Sequence, residues 1–268
     1  MDTVIRSRTN GLVKEFIRRR DDAASHSTWF VVEGSKLLAE AARSSHAVAQ
    51  VFVLEGWEAR LPEVPGAEVR LVAGPVMEKL STLTSPGWVV ALCRRTPGLP
   101  PSELLRRTPW LVLDGIQDPG NLGTILRSAE AFGAPPVVLL PPAPSPFQEK
   151  VIRASTGSSL RVGYWRPTSH DEFLAALRRE GVILCALRSD GDTELDHLPQ
   201  GGSRAFIVGN EGHGVSPALA PHIARTIRIP MEPEVESLNA ATAASLLLYQ
   251  LYRAGGRRGK GPRSGTKD

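Results

Sequence analysis

Residues 206–252 read FIVGNEGHGVSPALAPHIARTIRIPMEPEVESLNAATAASLLLYQLY. The apolar run Ala205-Phe206-Ile207-Val208 predicts a strand that breaks into a Gly-rich polar turn, Gly209 to Gly214. A second strand, Thr226-Ile227-Arg228-Ile229, is stopped by Pro230. A polar turn follows, and Ser237 and Asn239 stand where a helix begins. That helix has Ala240, Ala241, Ala243 and Ala244 on its close-packing side, with Leu246, Leu247, Leu248 and Leu251 for bulk. A helix apolar nearly all round is buried or packs in a subunit interface. Two polar turns at the ends of two strands, with such a helix behind them, form a ligand cradle. Ser216-Pro217 opens a short helix cut off by Pro221. The glycine order is GxxGxG, not the GxGxxG of dinucleotide folds, which disfavours a nucleotide-binding oxidoreductase.

Working outward, Trp110-Leu111-Val112-Leu113 predicts a strand ending at Asp114-Gly115. After Pro119-Gly120, Asn121 is placed to cap a helix that runs to Phe132 and closes at Gly133. At about 100° per residue, Leu122, Ile125, Leu126, Ala129 and Phe132 share one face. Asn121, Thr124, Arg127 and Ser128 share the opposite one. Further strands are expected at Pro136–Leu140, Arg161–Trp165 and Val182–Leu187, with a helix from Phe147 to Ala154. Ser169 with Glu172 predicts a capping box for another helix, ended by Gly181. Strands with little internal alternation, separated by helices, imply an α/β fold with a parallel sheet covered on both faces. Ligands of such sheets bind beyond the carboxyl ends of the strands.

Residues 1–95 predict a small α/β unit. Its helices lie at Ile5–Arg20, Lys36–Arg43 and Pro75–Leu80, and its strands at Trp29–Val32, Val51–Leu54, Val69–Val72 and Trp88–Leu92. Thr96-Pro97-Gly98-Leu99-Pro100-Pro101 opens a linker over 96–108. The larger unit spans 109–254, and 255–268 is a basic, Gly-rich tail expected to be disordered.

The chain has 268 residues, a formal net charge of +4 and two cysteines. Clusters such as Arg18-Arg19-Arg20 and Arg257-Arg258 favour phosphate-bearing partners. Cys93 and Cys185 read as buried free thiols of a reducing compartment, hence a cytoplasmic protein. The histidines show no paired spacing for a metal, so none is expected. No apolar run reaches the ~20 residues of a membrane span, and residues 1–16 lack the pattern of a signal peptide.

Three motifs in this order resemble the SpoU (TrmH-type) branch of the SPOUT superfamily, S-adenosyl-L-methionine-dependent RNA ribose 2′-O-methyltransferases. Asn121 and Arg127 match Asn-x5-Arg. Val208-Gly209-Asn210-Glu211-Gly212-His213-Gly214 matches the second motif. Ile229-Pro230-Met231 with Ser237-Leu238-Asn239 matches the third. Ser7-Arg8-Thr9-Asn10, Phe30-Val31-Val32-Glu33-Gly34 and Lys79-Leu80-Ser81 resemble the family's ribosomal-protein-like RNA-binding module, with Gly11 where proline is common.

The resemblance implies a C-terminal trefoil knot and a homodimer joined through the last helix and the knot region. It implies donor binding at Leu187, Gly209, Ile229, Met231 and Leu238. Catalysis would fall to Arg127, Asn121, Glu211, Ser237 and Asn239, without a metal. The implied substrate is large-subunit ribosomal RNA, the activity being a housekeeping or an antibiotic-resistance one. Transfer RNA is the alternative, as is a catalytically silent RNA-binding assembly factor of the same fold.

Overall fold

The computed structural model describes residues 4–21, 28–198, 201–210 and 212–255. The front unit contains α1 (Gly11–Asp21), β1 (Trp29–Glu33), α2 (Ser35–Ala42), β2 (Ala47–Leu54), β3 (Glu68–Val72), α3 (Gly74–Leu80) and β4 (Val89–Arg94). Its four strands lie in the order β1-β4-β2-β3. β4 runs antiparallel to both neighbours, and β2 is parallel to β3. Leu37, Leu38 and Ala41 of α2 cover one face, while Val13 and Phe16 of α1 and Val76, Met77 and Leu80 of α3 cover the other. The first helix starts at Gly11 rather than at Ile5. Ile5 instead bridges Val72, donating its N–H to Leu71 O at 2.8 Å. β-branched Ile5 gains more by extending the sheet than by adding a turn to a helix.

The larger unit follows α4 (Pro101–Leu104), which buries Leu104 and Leu105 on the sheet behind it. It contains β5 (Trp110–Asp114), α5 (Pro119–Ala131), β6 (Val137–Leu140), α6 (Glu149–Ala154), β7 (Tyr164–Trp165), α7 (His170–Glu180) and β8 (Ile183–Leu187). Then come β9 (Thr193–Glu194), β10 (Arg204–Val208), β11 (Ile223–Arg228) and α8 (Ala240–Ala254). The seven strands lie in the order β7-β6-β5-β10-β8-β11-β9, and every pairing is parallel. Side chains alternate faces along each strand. Leu111, Leu113, Val137, Leu139, Phe206 and Val208 therefore face α5 and α8, while Trp110, Val112, Val138, Leu140, Ala205 and Ile207 face α4 and α7. This double covering is why the strands read as continuous apolar runs.

Local outcomes differ in places. Asp118, not Asn121, caps α5: its Oδ1 accepts the Asn121 N–H at 2.8 Å. Pro119 at the first helical position, whose missing N–H costs nothing there, fixes the start three residues earlier. α6 starts at Glu149 rather than Phe147, and the strand expected at 161–165 shrinks to Tyr164 and Trp165. No α-helix forms after Ser216-Pro217; only a 3-10 turn appears at Ala220–His222. Ser169 caps α7 as expected, accepting from Glu172 N, but Glu172 reaches back to the N–H of Thr168 instead of the cap's own. Gly181 ends α7 in the left-handed region at φ 60. Both cysteines are buried thiols, and burial pushes Cys93 up to about 12.

The two units meet along a seam. Phe147 packs on Phe30 and His46, and the Arg95 guanidinium lies 4.2 Å from the centre of the Phe147 ring. Arg161 pairs with Glu130 of its own unit and with Glu40 of α2.

Candidate active site

A cleft of about 510 Å³ opens beyond the carboxyl ends of β8, β10 and β11. β10 occupies the slot between β5 and β8, and the cleft lies beyond the carboxyl ends of the strands, as ligand sites of open parallel sheets do. Leu187 closes β8, Gly209 follows β10, and Ile229 and Met231 follow β11; all four line the cleft with Ser237 and Leu238. The five proposed donor residues thus share one wall system with one of the proposed catalytic residues.

The turn after β10 is built by Asn210. Its N–H donates to Gly214 O at 2.9 Å, and its own O accepts from Gly214 N at 2.8 Å. Its Oδ1 accepts from Gly212 N at 2.8 Å, and its Nδ2 donates to Gly115 O at 2.9 Å. The turn folds so tightly that a Cβ on Gly209 would lie 2.3 Å from the Gly214 carbonyl carbon. Glycine at 209 is therefore a steric requirement. Asn210 did not stand out among the motif residues as more than a spacer. Only its local bond has a sequence signal, since Asn side chains bond the backbone two residues on in tight turns.

The segment after β8 forms another wall, through Arg188, Ser189 and Asp190. Arg188 donates twice to Asp190, at 2.8 and 2.9 Å. Those bonds hold the Asp190 carboxyl below its usual value and raise the Arg188 guanidinium. Gly191 presses against β11, where a Cβ would meet the Ile227 carbonyl carbon at 2.5 Å. The walls are thus apolar at Leu187, Val208, Ile227, Ile229, Met231 and Leu238, with polar groups at Asp190, His213, Glu236 and Ser237. Such a mixture of apolar walls and a few polar groups suits a small-molecule ligand.

The first and third motifs meet. Asn239 caps α8, its Oδ1 accepting from Ala241 N and Thr242 N, while its Nδ2 donates to Asn121 Oδ1 at 3.1 Å. Two turns along, Ser128 and Ser245 hydroxyls lie 2.7 Å apart. The stripe expected on α5 therefore divides. Asn121 and Ser128 lean on α8, whereas Thr124 and Arg127 are exposed. Arg127 does not line the cleft, and neither does Asn121 or Asn239. Glu211 lies outside the described residues. The close approach of Gly123 to α6, where a Cβ would lie 2.5 Å from Ala154 Cβ, fixes how α5 is seated. Among the described residues, no group of three or more His, Cys, Asp or Glu is gathered as a metal site.

Residues 109–249 match the SpoU rRNA Methylase family. The chain is 32% identical over 227 residues to the 23S rRNA (guanosine(2553)-2'-O)-methyltransferase RlmP of Bacillus subtilis (strain 168), covering 83% of this chain and 88% of that protein. Among solved structures it is similar to the AdoMet-bound rRNA methyltransferase of Sinorhizobium meliloti, with a TM-score of 0.79, 25% identity and coverage of 94% and 97% of the two chains. It is likewise similar to the SpoU methyltransferase AviRb of Streptomyces viridochromogenes in complex with AdoMet, with a TM-score of 0.76, 25% identity and coverage of 91% and 98%.

Proposed function

This chain belongs to the SpoU rRNA Methylase family, and we propose that it transfers a methyl group from S-adenosyl-L-methionine to a ribose 2′-hydroxyl of ribosomal RNA. The observation that carries the reading is the convergence of motifs. The donor residues line one cleft, and the Asn239–Asn121 hydrogen bond ties the helix bearing Arg127 to the rim of that cleft.

The donor's chemistry fits the residues present. Leu187, Ile229, Met231 and Leu238 offer apolar walls for an adenine ring. The backbone at Gly209, where no side chain has room, can approach it closely. The volume falls within the ~300–1,000 Å³ usual for small-molecule sites. Bound S-adenosyl-L-methionine supplies an activated methyl group on a sulfonium. The chain's task is alignment, because in-line displacement by a weak hydroxyl nucleophile depends on orientation. Arg127 has the leading role. A guanidinium rarely gives up its proton in proteins, so it orients the hydroxyl and stabilises the negative charge that develops there. The hydroxyl proton passes to a neighbouring RNA phosphate. Asn121, Asn239, Ser237 and Glu211 hold Arg127, the ribose and the donor in register.

Residues 1–95 are the RNA-binding unit of this reading, and 109–254 the catalytic unit. The chain after β11 leads to α8, which packs on α5, and this return supports the C-terminal trefoil knot of this reading. On the outer side of α8, Leu246 and Tyr249 are 39% and 46% exposed, one turn apart. They support a homodimer joined through this helix. No helix among the described residues is long and apolar enough to cross a membrane.

Calorimetric titration with S-adenosyl-L-methionine should give saturable one-site binding. Mass-spectrometric mapping of ribose methylation in RNA treated with the protein should then locate a single large-subunit position. Donor binding without methylation of any ribosomal or transfer RNA would favour the silent assembly factor.

A further inference from the structure

Beneath the donor-side turn lies a buried carboxylate that methyl transfer itself does not use. Asp114 ends β5 with its side chain 4% exposed, and it does not line the cleft. Taking an ionised carboxylate out of water costs several kcal/mol unless its oxygens are well satisfied. Two distant segments satisfy them. Oδ2 accepts the Ser216 N–H at 2.6 Å. Oδ1 lies 3.3 Å from Nε2 of His170, and the same nitrogen lies 3.2 Å from the Ser216 hydroxyl. His170 is the first residue of α7, so this contact ties the carboxylate to a second element of the sheet's covering layer.

The next residue in the chain completes the arrangement. Gly115, at φ 69, turns its carbonyl to Asn210 Nδ2. The turn after β10 is therefore held at both feet by consecutive residues of another strand: Asn210 at Gly115, Ser216 at Asp114. Between those feet Asn210 and Gly214 pair with each other, and Gly209, Asn210, Gly214 and Val215 present themselves to the cleft.

We propose that Asp114 is a positioning residue that fixes the donor-binding turn through Ser216 and His170. The turn's own hydrogen bonds give it shape; Asp114 gives it place. Without the carboxylate, the 214–216 foot keeps its internal pair but loses its anchor to β5, and the Gly209 backbone moves relative to Leu187 and Ile229. The proposal rests on the reading of the cleft as the donor site.

The test compares the wild-type chain with Asp114→Ala, Asp114→Asn and His170→Ala. It measures hydrogen exchange of the 206–217 peptide in the free protein, calorimetric affinity for S-adenosyl-L-methionine, and KM for donor and for ribosomal RNA separately. In Asp114→Ala, exchange should quicken and donor Kd and KM rise by about tenfold or more, with RNA KM within about twofold. Asp114→Asn keeps an acceptor for the Ser216 N–H and should recover most of the donor affinity. His170→Ala should fall between the two. Exchange and donor affinity within about twofold of wild type in Asp114→Ala would overturn the proposal, as would an Asn variant no better than Ala. Should Asp114→Ala fail to fold, His170→Ala decides by the same readings. A wild-type chain that binds no donor overturns the methyl-transfer reading instead, and exchange in the free protein still decides for or against the anchor.

Discussion

Arg127 is exposed on α5 and outside the cleft, so truncating it should remove chemistry without disturbing the donor wall. Arg127→Ala is expected to lower transfer by at least about 10²–10³-fold, the scale of losing one charge-stabilising donor. Calorimetric donor affinity should stay near wild type; near-normal turnover by tritium transfer would remove Arg127 from the mechanism. Gly209→Ala should do the reverse. Its methyl group has no room against Gly214, so overpacking should cost about 1–3 kcal/mol in urea unfolding and take donor binding with it. The need for glycine at 209 was legible because no other residue lacks a Cβ. The capping of α5 was less legible: Asp118 and Asn121 are both good caps three residues apart, and only Pro119 distinguishes them. Asn210 was hidden for a different reason. Its partner at Gly115 is 95 positions away, and no local pattern reports such a bond.

Helices α5 and α8 are each started by one side chain, and the two starts touch. Asp118→Ala removes the acceptor for Asn121 N and should cost about 1 kcal/mol, read as a shift of the urea midpoint with unchanged slope. It should also slow transfer more than it weakens donor binding, because the α5 end that carries Asn121 frays. Equal loss of both would mean that the cap is structural only. At this scale the sequence was most readable where a strand is covered on both faces, since such strands are plain apolar runs. It was least readable at the edges. β7 and β9 have two residues each, too few for any period to show. The Ser216 segment failed as a helix because Pro221 has no N–H to bond back to Pro217 and would interrupt any helix begun there.

On the scale of the whole molecule, the seam and the outer face of α8 carry the predictions. Hydrogen bonds from Arg161 hold the Glu130 carboxyl below its ordinary 4.5. A depressed carboxylate contributes stability that is full above the unfolded value and lost as pH falls through the folded one. Stability read from urea unfolding should therefore drop below about pH 4.5, by no more than ~1 kcal/mol because both side chains are about one-third exposed. Arg161→Gln should flatten that limb. If Leu246 and Tyr249 join two copies, Leu246→Glu with Tyr249→Glu should halve the mass found by sedimentation while leaving the chain folded; an unchanged mass would place the contact elsewhere. A knot or a dimer cannot be read from periodicity at all, because either depends on where the chain passes rather than on what each segment is.

The central position of β10 has a consequence for how the molecule is made. Its partners are β8, about twenty residues earlier, and β5, where Ala205 pairs with Trp110. Until β10 arrives, β5 and β8 each present an unpaired edge, and the sheet exists as two half-sheets joined only by chain. Contacts so distant in sequence are slow to form, and open edges invite other chains. Refolding should thus be rate-limited by insertion of the middle strand, and sensitive to protein concentration before that step. The cleft at the ends of β8, β10 and β11 would be among the last features to appear.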